Sequence, residues 1–136
     1  PKATRLSSRA QVISMARSKG IDRVMWMTYR ENVGYVSPAG VSDSDSFVAM
    51  NRALRSAAAS GRYPELIVAD WHAYSFAEGS WLTADGVHFT VSGARAASEY
   101  VSRKLAAIER RPCPAAVGGP LGPGGWCADP DITGPP

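Results

Sequence analysis

Leu66-Ile67-Val68-Ala69 is an unbroken apolar stretch between Pro64 and Asp70, and Val24-Met25-Trp26-Met27 is a second such stretch after Arg23. Neither stretch shows the alternation of apolar and polar residues that marks a strand with one face in water. Unbroken runs are typical of strands that are covered on both faces in a parallel sheet. The sequence therefore predicts two short, buried, parallel strands.

Three segments around these strands have the composition and spacing of helices. The first covers about residues 7–19 and is followed by Gly20, a common helix stop. The second covers residues 47–60 and carries apolar residues at spacings of three and four, and the third, about residues 92–110, has a similar apolar stripe. The order helix, strand, helix, strand, helix predicts an α/β fold.

Two parallel strands alone would leave two open sheet edges, and three apolar helix faces need more sheet to cover. We therefore expect a three-layer α/β/α sandwich of which this chain supplies only the C-terminal half, in residues 1–110. The remaining strands would come from an upstream segment or from a separate chain. The chain begins at Pro1 without a signal-peptide pattern, so we also expect that an upstream segment has been removed.

Length and composition exclude several classes of protein. A chain of 136 residues has room for one domain, and 45% hydrophobic with 20% charged residues argues against wholesale disorder. The net charge of +3 comes from arginines spread along the helices, which favours a solvated surface, with attraction to an anionic cell envelope as the alternative. We expect no nucleic-acid partner, and no apolar run approaches the roughly 20 residues of a membrane span.

Residues 111–136 form a Pro/Gly-rich tail that contains the two cysteines, Cys113 and Cys127. Two cysteines are too few for a structural zinc site, and His72 and His88 do not complete one, so no metal is expected. A disulfide between the cysteines is the favoured interpretation, with two free thiols as the alternative. A disulfide would indicate an oxidising, extracytoplasmic compartment.

The segment Asp85-Gly86-Val87-His88 carries the most informative chemistry. A carboxylate three residues before a histidine can accept a hydrogen bond from one imidazole nitrogen and leave the other nitrogen free to take a proton. Gly86 would permit the tight turn, and Thr90 or Ser92 would cap the following helix. On spacing alone, the pair is weak evidence for catalysis, and the alternative is an aspartate that stabilises a turn beside a half-exposed histidine.

The order of segments from about Val24 to Leu105 resembles the C-terminal half of SGNH (GDSL-like) hydrolases. The signature Asp85-Gly86-Val87-His88-Phe89-Thr90, followed by Gly93 and a closing helix, is the most specific part, and Asp70-Trp71 after the second strand also matches. The similarity is greatest to bacterial cell-envelope acyltransferases and O-acetyl esterases. It implies that His88 is a general base and that Asp85 orients it.

The same resemblance implies a serine in a Gly-Asp-Ser motif and an oxyanion hole formed by a Gly and an Asn, but none of these blocks is recognisable here. Ser44 and Ser46 follow aspartates, yet no apolar strand precedes them. Asn51 lies inside a helix and is a poor candidate for the oxyanion asparagine. We therefore expect the nucleophile in a missing N-terminal segment or in a separate chain.

Other residues are weaker candidates. Arg30 follows the first strand and could contact a substrate carbonyl or anion, with a loop salt bridge as the alternative. Trp71 could form a wall of the acyl or sugar site, or pack in the core. His72 is expected to be a surface or core-edge histidine and not a catalytic one. Trp81 is expected to pack the Asp85–His88 segment in place.

These observations lead to two functional hypotheses. The first is a secreted serine esterase or acyltransferase that acts on ester-linked acyl groups, acetyl groups first, of cell-envelope glycans or lipids, without metal or organic cofactor. The second is a catalytically silent module of the same fold that serves as a binding or scaffolding subunit of an envelope assembly.

Overall fold

The computed structural model describes residues 2–31, 43–113 and 127–133 of the chain. The elements follow the order α1 (Lys2–Ser18), β1 (Val24–Met27), α2 (Asp43–Ala59), β2 (Leu66–Ala69), α3 (Trp71–Ser75), a 3₁₀ turn (Gly79–Trp81), α4 (Val91–Ile108) and α5 (Pro130–Thr133).

β1 and β2 pair in parallel, with Val24 opposite Leu66 and Met27 opposite Ala69. Both strands have the bounds that their unbroken apolar runs predict, so this part of the prediction is confirmed. Over the described residues these two strands form one sheet. The chain is therefore a mixed α/β protein with helices around a small parallel sheet.

One face of the sheet is covered by the first two helices. Ile13 of α1, Leu54 of α2 and Leu66 of β2 form a buried cluster, and Trp26 and Val68 pack against it. Trp26 and Val68 are opposite each other in the register, so both strands contribute to the same side. The apolar stripe of α2 thus faces the sheet, as its spacing of three and four residues predicts.

The opposite face is covered by the elements that follow β2. Its buried cluster consists of Ala69, Trp71, Tyr74, Ala96 and Tyr100, from β2, α3 and α4. Met25 and Met27 of β1 pack against this cluster from the alternate positions of the strand. Apolar residues therefore pack against both faces of the sheet, although all four residues of β1 stay only partly buried. Contacts on both faces explain why neither strand alternates in sequence.

Several helix boundaries differ from the predicted ones. α1 begins at Lys2 rather than near residue 7. The helix extends further because residues 2–6 include Lys, Ala, Arg and Leu, which are good helix formers. α2 begins at Asp43 rather than Phe47, because Asp and Ser are tolerated in the first helical turn. α4 ends at Ile108 instead of Arg110, whose positive φ of 52° is incompatible with a continuing helix.

The segment between β2 and α4 contains a short helix, α3, that was not predicted from the sequence. The side chain of Asp70 accepts a hydrogen bond from the backbone N–H of Ala73 and caps α3. Five residues are too few to show helical periodicity, so the cap was the only signal in the sequence.

A disulfide joins Cys113 to Cys127, the pairing that the sequence favours, and links the last described segment to the residues after α4. α5 follows Cys127 and was not predicted. The carboxylate of Asp131 accepts hydrogen bonds from Lys104 Nζ, from the Tyr100 hydroxyl and from the backbone N–H of Asp70. Residues 114–126 and 134–136 of the predicted tail lie outside the described residues.

Lys104 is 5% exposed, and its Nζ lies 2.8 Å from Asp129 Oδ1 and 2.6 Å from Asp131 Oδ2. Burial alone would lower the pKa of Lys104, but the hydrogen bonds from both carboxylates raise it above its ordinary value. A buried ammonium is tolerated in proteins when it is paired in this way. The pair of carboxylates therefore anchors the tail over the carboxyl end of β2.

Within the described part of the chain, no helix is both long enough and apolar enough to cross a membrane.

Gly93 provides a sharp test of how α4 packs. A Cβ at this position would overlap the backbone carbonyl of Trp81, whereas a Cβ at Gly79 would meet no atom within 4 Å. Alanine normally favours a helix interior over glycine, yet we expect Gly93→Ala to lower the free energy of unfolding by about 1–3 kcal/mol through overpacking. Gly79→Ala is the matched control and should change it by less than about 0.5 kcal/mol. If denaturant unfolding gave the Gly93→Ala variant the same free energy of unfolding as the wild type, the close approach of Gly93 to the Trp81 carbonyl would be contradicted.

The disulfide gives a second stability prediction. Replacing Cys113 and Cys127 together by serine should lower the free energy of unfolding by about 3 kcal/mol, because the cross-link restricts the unfolded chain. Reductant should destabilise the wild-type protein to a similar extent and leave the double variant unchanged. If reductant did not change the unfolding midpoint of the wild-type protein, the disulfide would not contribute to its stability.

Candidate active site

The Asp85–His88 segment is a closed turn. Leu82 and Phe89 form an antiparallel bridge at its base, and the backbone N–H of Thr83 donates to the carbonyl of His88 at 2.8 Å. Gly86 has a φ of 72°, in the left-handed region that glycine adopts readily. The turn therefore depends on the glycine that the sequence places between Asp85 and His88.

The carboxylate of Asp85 accepts several hydrogen bonds inside this turn. Its Oδ1 atom accepts from Thr83 Oγ1 at 2.7 Å, from the Val87 N–H at 2.8 Å and from the His88 N–H at 3.1 Å. The Thr83 hydroxyl, these amides and the His88 ring hold the pKa of Asp85 well below its ordinary value. Asp85 is therefore ionised across the neutral pH range.

His88 is oriented by the other carboxylate oxygen. Its Nδ1 atom lies 2.6 Å from Asp85 Oδ2, and its side chain is 78% exposed while that of Asp85 is 31% exposed. A carboxylate acceptor requires a proton on Nδ1, so the neutral ring has its lone pair on Nε2. This arrangement is suited to removing a proton from a group that approaches from solvent.

The turn is attached to the start of α4. Thr90 caps the helix, because its Oγ1 accepts from the backbone N–H of Gly93 at 3.1 Å. The Thr90 N–H donates to the carbonyl of Trp81, and its hydroxyl donates to the carbonyl of Ser80 at 2.8 Å. Of the two cap candidates predicted from the sequence, Thr90 therefore serves the helix.

Trp71 lies at the centre of an aromatic cluster. It is 3% exposed, with its ring centroid 5.7 Å from that of Trp81 in a stacked arrangement and 5.6 Å from that of Phe89 in an edge contact. Trp81 and Phe89 flank the Asp85–His88 turn on either side in sequence. The cluster therefore fixes the turn to the core, as expected of Trp81, while a role of Trp71 against substrate stays a prediction.

A mostly apolar cavity of about 580 Å³ lies between β1 and the turn. Gly86, Val87 and Phe89 line it from the turn, so the cavity reaches the turn that carries Asp85 and His88, although neither of these two residues lines it. The other lining residues come from β1 and its continuation, from α2, and from the elements after β2: Met25, Trp26, Met27, Thr28, Tyr29, Arg30, Phe47, Trp71, Leu82 and Val101.

Arg30 lines the cavity and also holds a neighbouring loop. Its guanidinium donates to the carbonyls of Phe76 and Glu78, each at 3.1 Å. Arg30 therefore binds backbone carbonyls here. The sequence alone suggested a contact with substrate or a loop salt bridge for this residue. Contact with substrate stays a prediction for this residue.

His72 has a different environment from His88. Its Nδ1 atom accepts a hydrogen bond from the Glu31 N–H at 3.1 Å, and its Nε2 atom lies 3.6 Å from Glu31 Oε2. The neutral ring therefore carries its proton on Nε2. Its side chain is 17% exposed, so most of the ring is enclosed by neighbouring residues.

Asn51 is fully buried and holds the residues that follow β1. Its side chain accepts from the Tyr29 N–H at 2.8 Å and donates to the Tyr29 carbonyl at 2.6 Å and to Glu31 Oε1 at 3.0 Å. With these groups engaged, Asn51 acts as a structural clamp, in keeping with its rejection as an oxyanion donor.

Asp70 belongs to a polar network that the sequence did not reveal. Arg55 donates to both carboxylate oxygens, Nε to Oδ2 at 3.0 Å and Nη2 to Oδ1 at 2.8 Å, and Thr28 Oγ1 donates at 3.0 Å. Burial acts to raise the pKa of Asp70, but the Arg55 contacts lower it below its ordinary value. The spacing of Arg55 and Asp70 in the chain gives no periodic signal for this pair.

Between described residues, the hydrogen bonds of His88 join it to Asp85 and Thr83, and none of them involves its Nε2 atom. Over the same ranges no group of three or more His, Cys, Asp or Glu side chains could hold a metal ion. Comparison of the chain with protein-family models, with curated proteins and with solved structures gave no match.

The two histidines provide a direct test of this geometry. In their neutral forms, we expect His88 as the Nδ1–H tautomer and His72 as the Nε2–H tautomer, because of the hydrogen bonds that their Nδ1 atoms make. Nitrogen-15 NMR of the histidine-labelled protein separates the two forms. Asp85→Asn should change the tautomer populations of His88 and leave those of His72 unchanged. The same tautomer at both positions would contradict the arrangement described.

Proposed function

We propose that this chain is the C-terminal part of a secreted SGNH-type serine esterase or acyltransferase. In this proposal His88 is the general base and Asp85 is the carboxylate that orients it. The substrates are ester-linked acyl groups, with the acetyl groups of cell-envelope glycans or lipids as the first candidates. The nucleophilic serine and the oxyanion hole belong to an N-terminal segment or to a separate chain.

The observation that carries the proposal is the 2.6 Å hydrogen bond between Asp85 Oδ2 and His88 Nδ1. Together with the exposed ring of His88, it supplies the oriented imidazole that nucleophilic hydrolysis requires. A merely turn-forming aspartate would need only the backbone contacts of Oδ1. The resemblance of residues 85–90 and Gly93 to SGNH hydrolases supports the same roles.

The proposed reaction proceeds in two steps. His88 Nε2 removes the proton of the serine hydroxyl as the serine oxygen attacks the ester carbonyl, and the protonated ring then donates that proton to the departing alkoxide. An acyl-serine remains. Water or a sugar hydroxyl then gives its proton to His88 and takes the acyl group, and His88 returns the proton to the serine oxygen. Asp85 stabilises the imidazolium in both steps.

The proposed partner completes the sheet as a three-layer α/β/α sandwich. Over the described residues β1 pairs with β2 alone, and the N–H groups of Val24 and Thr28 donate toward β2. In a parallel ladder the alternate residues Met25 and Met27 then direct their backbone groups toward the other edge of β1. The apolar cavity along β1 supports the docking of a further strand on that side.

The disulfide between Cys113 and Cys127 supports the extracytoplasmic part of the proposal, because disulfides form and persist mainly outside the cytosol. In this scheme residues 1–110 form the catalytic half-domain and residues 111–136 form a tail fixed to it. Association with the cell envelope follows from the proposed substrates.

The alternative function is a catalytically silent binding or scaffolding subunit of an envelope assembly. It is favoured by one observation: among the described residues, His88 has no serine or cysteine partner. Reaction of the intact protein with a fluorophosphonate probe separates the two functions, because an esterase would be labelled on its serine and a scaffold would not.

Substitution of the two histidines tests the choice of base in the intact protein. His88→Ala should reduce ester hydrolysis by about 10³-fold or more, because the serine loses its proton acceptor. His72→Ala is the control and should retain activity within a few-fold of wild type. Hydrolysis of a chromogenic acetyl ester measures both. Equal losses would refute the assignment of His88, and an unlabelled, inactive wild-type protein would favour the scaffold.

A further inference from the structure

The Asp85 carboxylate is held by donors of two kinds. The N–H groups of Val87 and His88 belong to the backbone, so the shape of the turn fixes them. The hydroxyl of Thr83 is a side-chain donor, and it makes the shortest contact to Oδ1, at 2.7 Å. At this contact a change of one side chain can alter the orientation of the carboxylate without altering the backbone of the turn.

The Thr83 hydroxyl has a choice of acceptors. Its Oγ1 atom lies 2.7 Å from Asp85 Oδ1 and 3.3 Å from the carbonyl oxygen of His88. A hydroxyl has a single proton to donate, and the ionised carboxylate is both the nearer and the stronger acceptor. The Thr83 hydroxyl therefore donates to Asp85.

The position of the His88 ring depends on that carboxylate. The ring is 78% exposed, and its described side-chain hydrogen bond is the one to Asp85 Oδ2. With Oδ1 occupied by three donors, Oδ2 is directed at Nδ1. Weaker binding of Oδ1 would let the carboxylate rotate and would release the ring with it.

We propose that Thr83 is a positioning residue for the candidate catalytic pair: its hydroxyl fixes the Asp85 carboxylate so that Oδ2 holds the proton of His88 Nδ1. The consequence for catalysis rests on the proposed function. The consequence for the tautomer of His88 does not, since it requires neither substrate nor nucleophile.

The test compares Thr83→Val with Thr83→Ser in the intact protein. Valine keeps the branched shape and removes the hydroxyl, serine keeps the hydroxyl, and neither changes the N–H that donates to the His88 carbonyl. We expect valine to lower the ratio of Nδ1–H to Nε2–H tautomer at His88 about fivefold, equivalent to about 1 kcal/mol for one hydrogen bond. Serine should stay within twofold of wild type. Nitrogen-15 NMR measures the ratio.

Thr28→Val is the matched control, because it also removes a threonine hydroxyl that donates to an aspartate, at 3.0 Å from Asp70. It should leave the His88 tautomer ratio unchanged even where it lowers stability. An unchanged ratio in Thr83→Val, or a serine variant that behaves like valine, would overturn the proposal. So would an equal change in Thr28→Val, since the effect would then reflect general loosening.

Enzyme kinetics on the Thr83→Val variant distinguish the positioning role of Thr83 from the proposed esterase function. In an active protein, Thr83→Val should lower kcat about tenfold with little change in KM, because only the base is misplaced. If the protein neither hydrolyses esters nor reacts with fluorophosphonate, the function fails, while the tautomer measurement still decides the role of Thr83. A Thr83→Val variant with wild-type kcat and a shifted tautomer ratio would overturn the catalytic part.

Discussion

The parallel pairing of β1 with β2 determines where the helices and the candidate site lie. Each strand has only four residues, and side chains from both strands pack into the core clusters on the two faces of the sheet. The pairing brings residues 28–31 and 70–72 together at the carboxyl ends of the strands, where α/β sheets commonly place ligands. There Thr28, Arg55 and the Asp131 carboxylate all bind Asp70, so β1, α2 and the tail are connected at one point.

From that point the contacts lead to the candidate site through apolar packing. Trp71 follows Asp70 directly and packs against Trp81 and Phe89, which lie on either side of the Asp85–His88 turn. The close approach of Gly93 to the Trp81 carbonyl attaches the same turn to α4. The backbone of the turn that carries His88 is thus attached to the core and to α4. The exposed imidazole ring of His88 is then oriented by Asp85. A preorganised base of this kind is what proton transfer in a hydrolase requires.

The sequence was most informative where the physical signal is local. Both strands are unbroken apolar runs, and both were predicted with their observed bounds; the disulfide and the cap at Thr90 were also among the predictions. The approach of Asp85 to His88 follows from a three-residue spacing with a glycine between them. The contacts that were missed join distant segments, as Arg55 does with Asp70 and Lys104 with Asp129 and Asp131. Thr83 was missed for another reason: its hydroxyl could have had many acceptors, and only the closed turn selects Asp85.

The central claim is that His88 is a general base for a serine outside this chain. The most direct measurement is an experimental structure of the intact protein after reaction with a fluorophosphonate. We expect a modified serine from the N-terminal segment or partner chain whose Oγ atom lies within hydrogen-bond distance of His88 Nε2, about 2.6–3.2 Å. A modified residue placed beside His72, or an Nε2 atom of His88 remote from every nucleophile, would contradict it.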